Sequence, residues 1–107
     1  MKRYGTMIKI RKENFEKYKH LHADVWPEVL AIISKCNIRN YSIYHKDGIM
    51  FSYFDYIGRN FDADMAKMAS DPKTLEWWAV VKPLLEPLTT RREGEFWAEM
   101  EEIFHLD

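Results

Sequence analysis

The hydrophobic pattern of the first third of the chain begins with a period of two residues and then changes to a spacing of three and four. From Arg3 to Ile10 every second residue faces one side, and the β-branched content of this segment predicts a strand. From Lys12 the apolar spacing changes to three and four, which predicts an amphipathic helix. Its inward positions are Phe15, Tyr18, Leu21, His22 and Val25 or Trp26. Pro27 cannot continue this helix but suits the first turn of a second one, over about residues 27–35.

The middle of the chain predicts a β-hairpin. Ile38 to Lys46 and Ile49 to Ile57 are rich in aromatic and β-branched residues, and Asp47-Gly48 lies between them. Asp-Gly between two such segments is a strong signal for a two-residue hairpin turn. We therefore expect these segments to form paired antiparallel strands.

Helical spacing returns after the hairpin. It covers residues 60–69 and then runs from Pro72 to about Leu85, with Asp71 as the predicted cap. After a polar loop, residues 96–98 and 102–106 predict a last strand. The order of strand, helix, two strands, helix and strand predicts an α+β fold of the ferredoxin-like, split βαβ type, in which helices cover one face of an antiparallel sheet.

Both faces of the predicted sheet carry apolar side chains. Along the first hairpin strand, Tyr41 and Ile43 fall on one side and Tyr44 on the other, while Phe51 and Tyr53 alternate with apolar neighbours on the second strand. Helices cover only one face, and large exposed apolar patches are rare on monomers. The pattern therefore predicts a symmetric homodimer that buries the second face.

Composition narrows the class of protein. The 107 residues, 47% of them apolar, suffice for a single domain spanning residues 1–107. A net charge of −1 excludes nucleic-acid binding by phosphate neutralisation. No apolar run approaches the roughly 20 residues of a membrane span, and we expect no signal peptide. The single cysteine, Cys36, is expected to be a small buried hydrophobe in a cytoplasmic protein.

The clearest chemical feature is the pair Tyr18 and His22. A spacing of four places the phenol and the imidazole one helical turn apart on the inward face. An imidazole exchanges protons near neutral pH, and a neighbouring phenol can orient it or hold a substrate oxygen. Spacing alone favours a hydrogen-bonded core histidine over a catalytic one.

Several aromatic residues are candidates for a ligand site. Trp77 and Trp78 lie about 100° apart on a helix, so at least one is expected to border a cleft or an interface. Tyr41 and Tyr44 point to opposite faces of their strand and could serve a ligand or stabilise the hairpin. The histidines lack the spacing of a zinc pair, and glycine-rich phosphate or dinucleotide motifs are absent, so we expect no metal and no cofactor.

Four blocks of the sequence together resemble the L-rhamnose mutarotase family. Residues 18–28 read YKHLHADVWPE, which is similar to that family's Tyr-x3-His-x3-Trp-Pro-Glu signature. Residues 40–44 (NYSIY) resemble its second block, Trp77-Trp78 its third, and residues 100–107 (MEEIFHLD) its C-terminus. The blocks occur in the family's order from the first strand to the last residue.

The resemblance implies a cofactor-free enzyme that interconverts the α and β anomers of a deoxyhexose. By matching positions, His22 is the expected proton donor, and the expected sugar contacts are Tyr18, Tyr41, Trp77 and Trp78. The implied fold is a dimeric ferredoxin-like domain of the α/β-barrel type. L-Rhamnose is the expected substrate, and another deoxyhexose such as L-fucose is the alternative. A cofactor-independent monooxygenase and a sugar-binding module remain competing hypotheses, because a fold does not fix a function.

Overall fold

The computed structural model describes residues 1–107. Its strands are β1 (Lys2–Ile10), β2 (Ile38–Lys46), β3 (Ile49–Tyr56), β4 (Leu85–Glu86) and β5 (Ala98–Met100). Its helices are α1 (Lys12–His22), α2 (Pro27–Lys35), α3 (Phe61–Ala69) and α4 (Pro72–Val81), and a 3₁₀ turn over Lys82–Leu84 follows α4. None of these helices has both the length and the apolar character needed to cross a membrane.

The strands form one antiparallel sheet with β1 at its centre. β2 pairs with β3, β3 pairs with β1, and the other edge of β1 is shared by β4 and β5. Ile10 lies opposite Leu85 of β4, and Gly5 lies opposite Met100 of β5. The helices pack on one face, so the predicted ferredoxin-like α+β arrangement is confirmed.

The main core lies between the helices and the inner face of the sheet. Its buried residues are Ile8, Ile10, Tyr18, Val29, Met50, Trp77 and Val81. A smaller cluster joins Cys36, Ile38 and Met68. Cys36 is fully buried and unpaired, and burial raises the pKa of its thiol, as expected of a cysteine that serves as a small hydrophobe.

The hairpin has the predicted turn and a feature that the pattern did not show. Asp47 and Gly48 both adopt positive φ, 51° and 82°, as a type I′ turn requires. A β-bulge lies between Arg39 and Ser42, and Asn40 within it has a φ of 54°. A bulge changes the direction in which nearby side chains point, and this one lies beside Tyr41, which lines the cavity described below.

The predicted helix from Pro72 to about Leu85 is too long. α4 ends at Val81 because Pro83 has no amide hydrogen to donate and its ring crowds the carbonyl one turn earlier. The chain tightens into the 3₁₀ turn, and Leu85 then pairs with Ile10 as part of β4. The pattern had given no sign of this two-residue strand.

The predicted last strand is also wrong in its extent. β5 covers only Ala98–Met100, and residues 101–107 have no regular structure. A strand requires a neighbour, and past Met100 the tail is attached to β1 chiefly through Arg3, which donates two hydrogen bonds to the Glu102 carboxylate at 2.8 and 2.9 Å. Three apolar side chains of this tail remain exposed: Ile103, Phe104 and Leu106.

Candidate active site

The Tyr18–His22 pair occupies the last turn of α1 with a defined geometry. The two rings stack with centroids 4.1 Å apart. His22 Nδ1 lies 2.8 Å from the carbonyl oxygen of Tyr18. A carbonyl only accepts hydrogen bonds, so Nδ1 carries the proton and donates, which leaves the lone pair of the neutral ring on Nε2. The helix itself therefore fixes the tautomer of His22.

Burial sets the resting charge of this histidine. The pKa of His22 is lowered from its ordinary 6.5, because burial disfavours the imidazolium more than the hydrogen bond to Tyr18 favours it. His22 is thus neutral at pH 7, and Nε2 accepts a proton before it can donate one. The expected role of His22 as the proton donor stays a prediction.

A cavity of about 710 Å³ opens beside the pair, and most of its wall is apolar. Its volume lies within the range of small-molecule sites. The structure brings all five candidate residues of the sequence into its wall: Tyr18, His22, Tyr41, Trp77 and Trp78. Three different elements, α1, β2 and α4, supply them. Tyr44 points to the opposite face of the sheet, towards Phe51.

The two tryptophans differ as their helical spacing requires. Trp77 is only 5% exposed and packs edge-on against the rings of His22 and Trp26, with centroids 5.3 and 5.2 Å away. Trp78, one position on, is half-buried. Trp77 is therefore both core and cavity wall, whereas Trp78 is the more accessible aromatic surface of the cavity.

Two phenols supply hydroxyl groups to the cavity. Tyr41 packs edge-on against Phe54, with centroids 5.7 Å apart, and the residue is 44% exposed. The protein around its hydroxyl raises the pKa of Tyr41. Burial also raises the pKa of Tyr18, and the nearby Tyr41 adds to that rise. Both hydroxyls stay protonated at neutral pH, so they can donate hydrogen bonds to sugar oxygens or accept them.

Sequence reasoning missed two cations of the cavity wall, Arg39 and Lys82. Arg39 donates from one guanidinium nitrogen to the carbonyl oxygens of Ser34 and Ile38, at 2.8 and 2.9 Å. Lys82 places Nζ 4.1 Å from the centroid of the Trp78 ring. Its spacing of four from Trp78 was the signal available in the sequence. The wall contains no aspartate or glutamate.

The remaining histidines lie outside the cavity. His20 is exposed on α1, and the ring of His45 stacks on Phe15 with centroids 3.7 Å apart. His105 contacts the carboxylate of Asp107 at 2.7 Å. The structure contains no group of three or more His, Cys, Asp or Glu side chains placed to hold a metal ion.

The fold and the site define a small ferredoxin-like α+β protein with a single histidine, stacked on a tyrosine, in an aromatic cavity. Residues 3–106 match the family model for L-rhamnose mutarotase. The chain belongs to the L-rhamnose mutarotase family.

Three known proteins illustrate the relationship. The L-rhamnose mutarotase of Oceanobacillus iheyensis is 29% identical, with both chains covered in full. The crystal structure of an L-rhamnose mutarotase from Formosa agariphila superimposes with a TM-score of 0.79 at 18% identity, again over both whole chains. Tetracenomycin F2 cyclase from Streptomyces glaucescens superimposes with a TM-score of 0.75 at 11% identity, covering 100% of this chain and 98% of its own. At such low identity the two structures show the shared fold alone.

Proposed function

We propose that this protein is an L-rhamnose mutarotase, an isomerase that interconverts the α and β anomers of L-rhamnose. One observation carries the proposal: in a chain of this family, a neutral histidine with a free Nε2 lies in the wall of an aromatic cavity that also contains two phenols. The activity is assigned to the single domain formed by residues 1–107.

Mutarotation requires two proton transfers, one at each of the two oxygen atoms bonded to the anomeric carbon. The anomeric hydroxyl loses a proton, the ring oxygen gains one, and the ring opens to an aldehyde. His22 Nε2 takes the hydroxyl proton, and the resulting imidazolium gives a proton to the ring oxygen. Rotation about the bond to the aldehyde carbon exposes its other face, and the same transfers in reverse close the ring as the other anomer. One histidine can serve both oxygens because they share the anomeric carbon.

The aromatic walls account for binding of a deoxyhexose. Trp77 and Trp78 offer apolar surface to the methyl group and the CH faces of the sugar, and the hydroxyls of Tyr18 and Tyr41 meet its oxygens. An apolar wall rejects an added hydroxyl by only about 10²-fold, so discrimination against hexoses that carry a hydroxymethyl group in place of the methyl is expected to be modest.

The direct test is anomeric exchange measured by saturation-transfer NMR, with L-rhamnose and L-fucose in parallel. We expect faster exchange of L-rhamnose in the presence of the protein. Tight binding of one anomer without faster exchange would instead identify a sugar-binding module. Oxygen uptake with an aromatic substrate and no effect on either sugar would identify a monooxygenase.

The resting state of His22 predicts the pH dependence of catalysis. Because the neutral imidazole is the active form and burial lowers its pKa, kcat/KM should rise from acid pH with a midpoint below 6.5, the ordinary pKa of histidine. Exchange rates measured between pH 4.5 and 8 provide the check. A midpoint above 6.5 would contradict a buried, neutral His22.

A homodimer is the second part of the proposal. The outer face of the sheet, opposite the helices, presents Met7, Tyr44, Phe51, Tyr53 and Met100. Tyr44 is 63% exposed, and Phe51, which packs over Gly5, is 36% exposed. A two-fold pairing of outer faces would bury this apolar surface.

Light scattering at micromolar concentration should give about twice the chain mass of 12.9 kDa. Phe51→Lys should shift the protein to monomer, because it places a charge in the buried interface. Val80→Lys is the matched control, since Val80 is 37% exposed but lies on α4. A wild-type monomer with full activity would overturn the dimer.

A cytoplasmic location completes the proposal. Its support is the lone thiol of Cys36, which is buried and unpaired, as is usual in a reducing compartment. Activity recovered in the cytoplasmic fraction of producing cells would support this location, and activity in a secreted fraction would contradict it.

A further inference from the structure

Lys82 is a cation in the cavity wall with no partner of opposite charge. It directly follows α4, one turn after Trp78, and it is half-buried. Its Nζ lies 4.1 Å from the centroid of the Trp78 ring and 5.1 Å from that of Phe96. The lysines that do form ion pairs are Lys46, Lys67 and Lys73.

The surroundings of Lys82 leave its hydrogen-bonding capacity unused. Aromatic faces attract the charge of an ammonium but accept none of its hydrogen bonds as an oxygen would. The cavity wall supplies no carboxylate, and burial lowers the pKa of Lys82. The ammonium still reaches solvent, so its donors are free to bind a polar ligand in the cavity.

The position of Lys82 complements that of His22. His22 packs against the edge of Trp77, and Lys82 lies over the ring of the next residue, Trp78. His22 and Lys82 thus line the same cavity, and each contacts a different one of the two adjacent tryptophans. A sugar whose anomeric carbon lies at Nε2 of His22 has its other ring hydroxyls available to a second polar group of the wall, and Lys82 is such a group.

We propose that Lys82 contacts the substrate and donates hydrogen bonds to ring hydroxyls away from the anomeric carbon. This inference rests on the proposed mutarotase function and adds a residue that selects for hydroxylated rings. Lys82 thereby holds the sugar in the position that brings the anomeric carbon to His22. The contribution of Lys82 appears chiefly in substrate affinity.

Lys82→Met tests the contact while keeping an apolar stem over Trp78. Hydrogen bonds from a charged group to a ligand are strong enough that their loss should raise KM for L-rhamnose by about tenfold or more. We expect kcat to change by less than about threefold, since such uniform binding affects mainly KM. Lys82→Arg keeps charge and donors and should recover part of the affinity.

Lys73→Met is the matched control. Lys73 is also on α4 and its Nζ lies over a tryptophan, 6.0 Å from the Trp26 ring centroid, but it pairs with Glu76 at 3.2 Å and is absent from the cavity wall. Its substitution should leave KM unchanged. Thermal unfolding of each variant separates loss of binding from loss of fold, and Lys82→Gln replaces Lys82→Met if the latter does not fold.

Substrate analogues locate the contact. L-Rhamnose lacking one hydroxyl at C2, C3 or C4 should lose affinity with the wild-type protein. For at least one analogue this loss should disappear in Lys82→Met, because the deleted partner is already missing. Unchanged KM in Lys82→Met, or equal losses for every analogue in both proteins, would overturn the contact.

The contact of Lys82 with the sugar can be tested even if the proposed mutarotase function fails. If the wild-type protein does not accelerate exchange, binding of L-rhamnose followed by tryptophan fluorescence still compares it with Lys82→Met. An affinity about tenfold lower in the variant supports the contact without catalysis, and equal affinities refute it.

Discussion

His22→Ala is expected to slow protein-catalysed anomeric exchange of L-rhamnose by about 10²- to 10⁴-fold, the usual contribution of a positioned general acid or base. No carboxylate lines the cavity, and the two phenols hold their protons at neutral pH, so neither kind of group can replace His22 as the proton acceptor at pH 7. Saturation-transfer NMR measures the loss directly.

His20→Ala is the control for this substitution. His20 is on the same helix but is exposed on the face opposite the cavity. The His20→Ala protein should therefore catalyse anomeric exchange at nearly the rate of the wild-type protein. A folded His22→Ala protein with unchanged exchange would remove His22 from the mechanism and favour a sugar-binding module.

Trp77→Ala should be the most destabilising of the substitutions in the cavity wall. Trp77 is 5% exposed and packs in the main core, and truncating a buried tryptophan typically lowers the free energy of unfolding by about 3–5 kcal/mol. Trp78→Ala should destabilise the protein less, because Trp78 is half-buried, but it should weaken use of the sugar. Denaturant unfolding and kcat/KM of both variants give the comparison.

Fluorescence provides an independent check on the tryptophans. Adding L-rhamnose to the wild-type protein should change the emission, because a stacked sugar displaces water from an indole, and Trp78→Ala should remove most of that change. If both alanine variants unfold and the wild-type protein shows no ligand-linked change, the tryptophan pair serves the core alone.

The proposed chemistry rests on side chains of the cavity and not on the fold. A structure named for polyketide cyclisation shares the fold with a TM-score of 0.75. The stacked Tyr18–His22 pair and the paired tryptophans are therefore the features to compare when a relative of this fold is assigned an activity.

Local pattern was sufficient for most of the secondary structure. The bounds of α2 follow from Pro27, and the hairpin follows from Asp47-Gly48, because each signal acts within a few residues. The same holds for the Tyr18–His22 pair, since a spacing of four in a helix fixes which side chains meet. The order of elements then limited the topology to the ferredoxin-like arrangement.

The sequence by itself thus determined the fold class, the family resemblance and five residues of the cavity wall, Tyr18, His22, Tyr41, Trp77 and Trp78. Only the tertiary structure decided the tautomer of His22, the presence of Lys82 in the cavity wall and the β-bulge beside Tyr41. It also decided that α4 stops at Val81 and that the tail beyond Met100 is not a strand. The tautomer depends on a carbonyl within α1, and the end of α4 depends on Pro83. The other features depend on burial and on contacts between residues far apart in the chain, and hydrophobic periodicity encodes none of these.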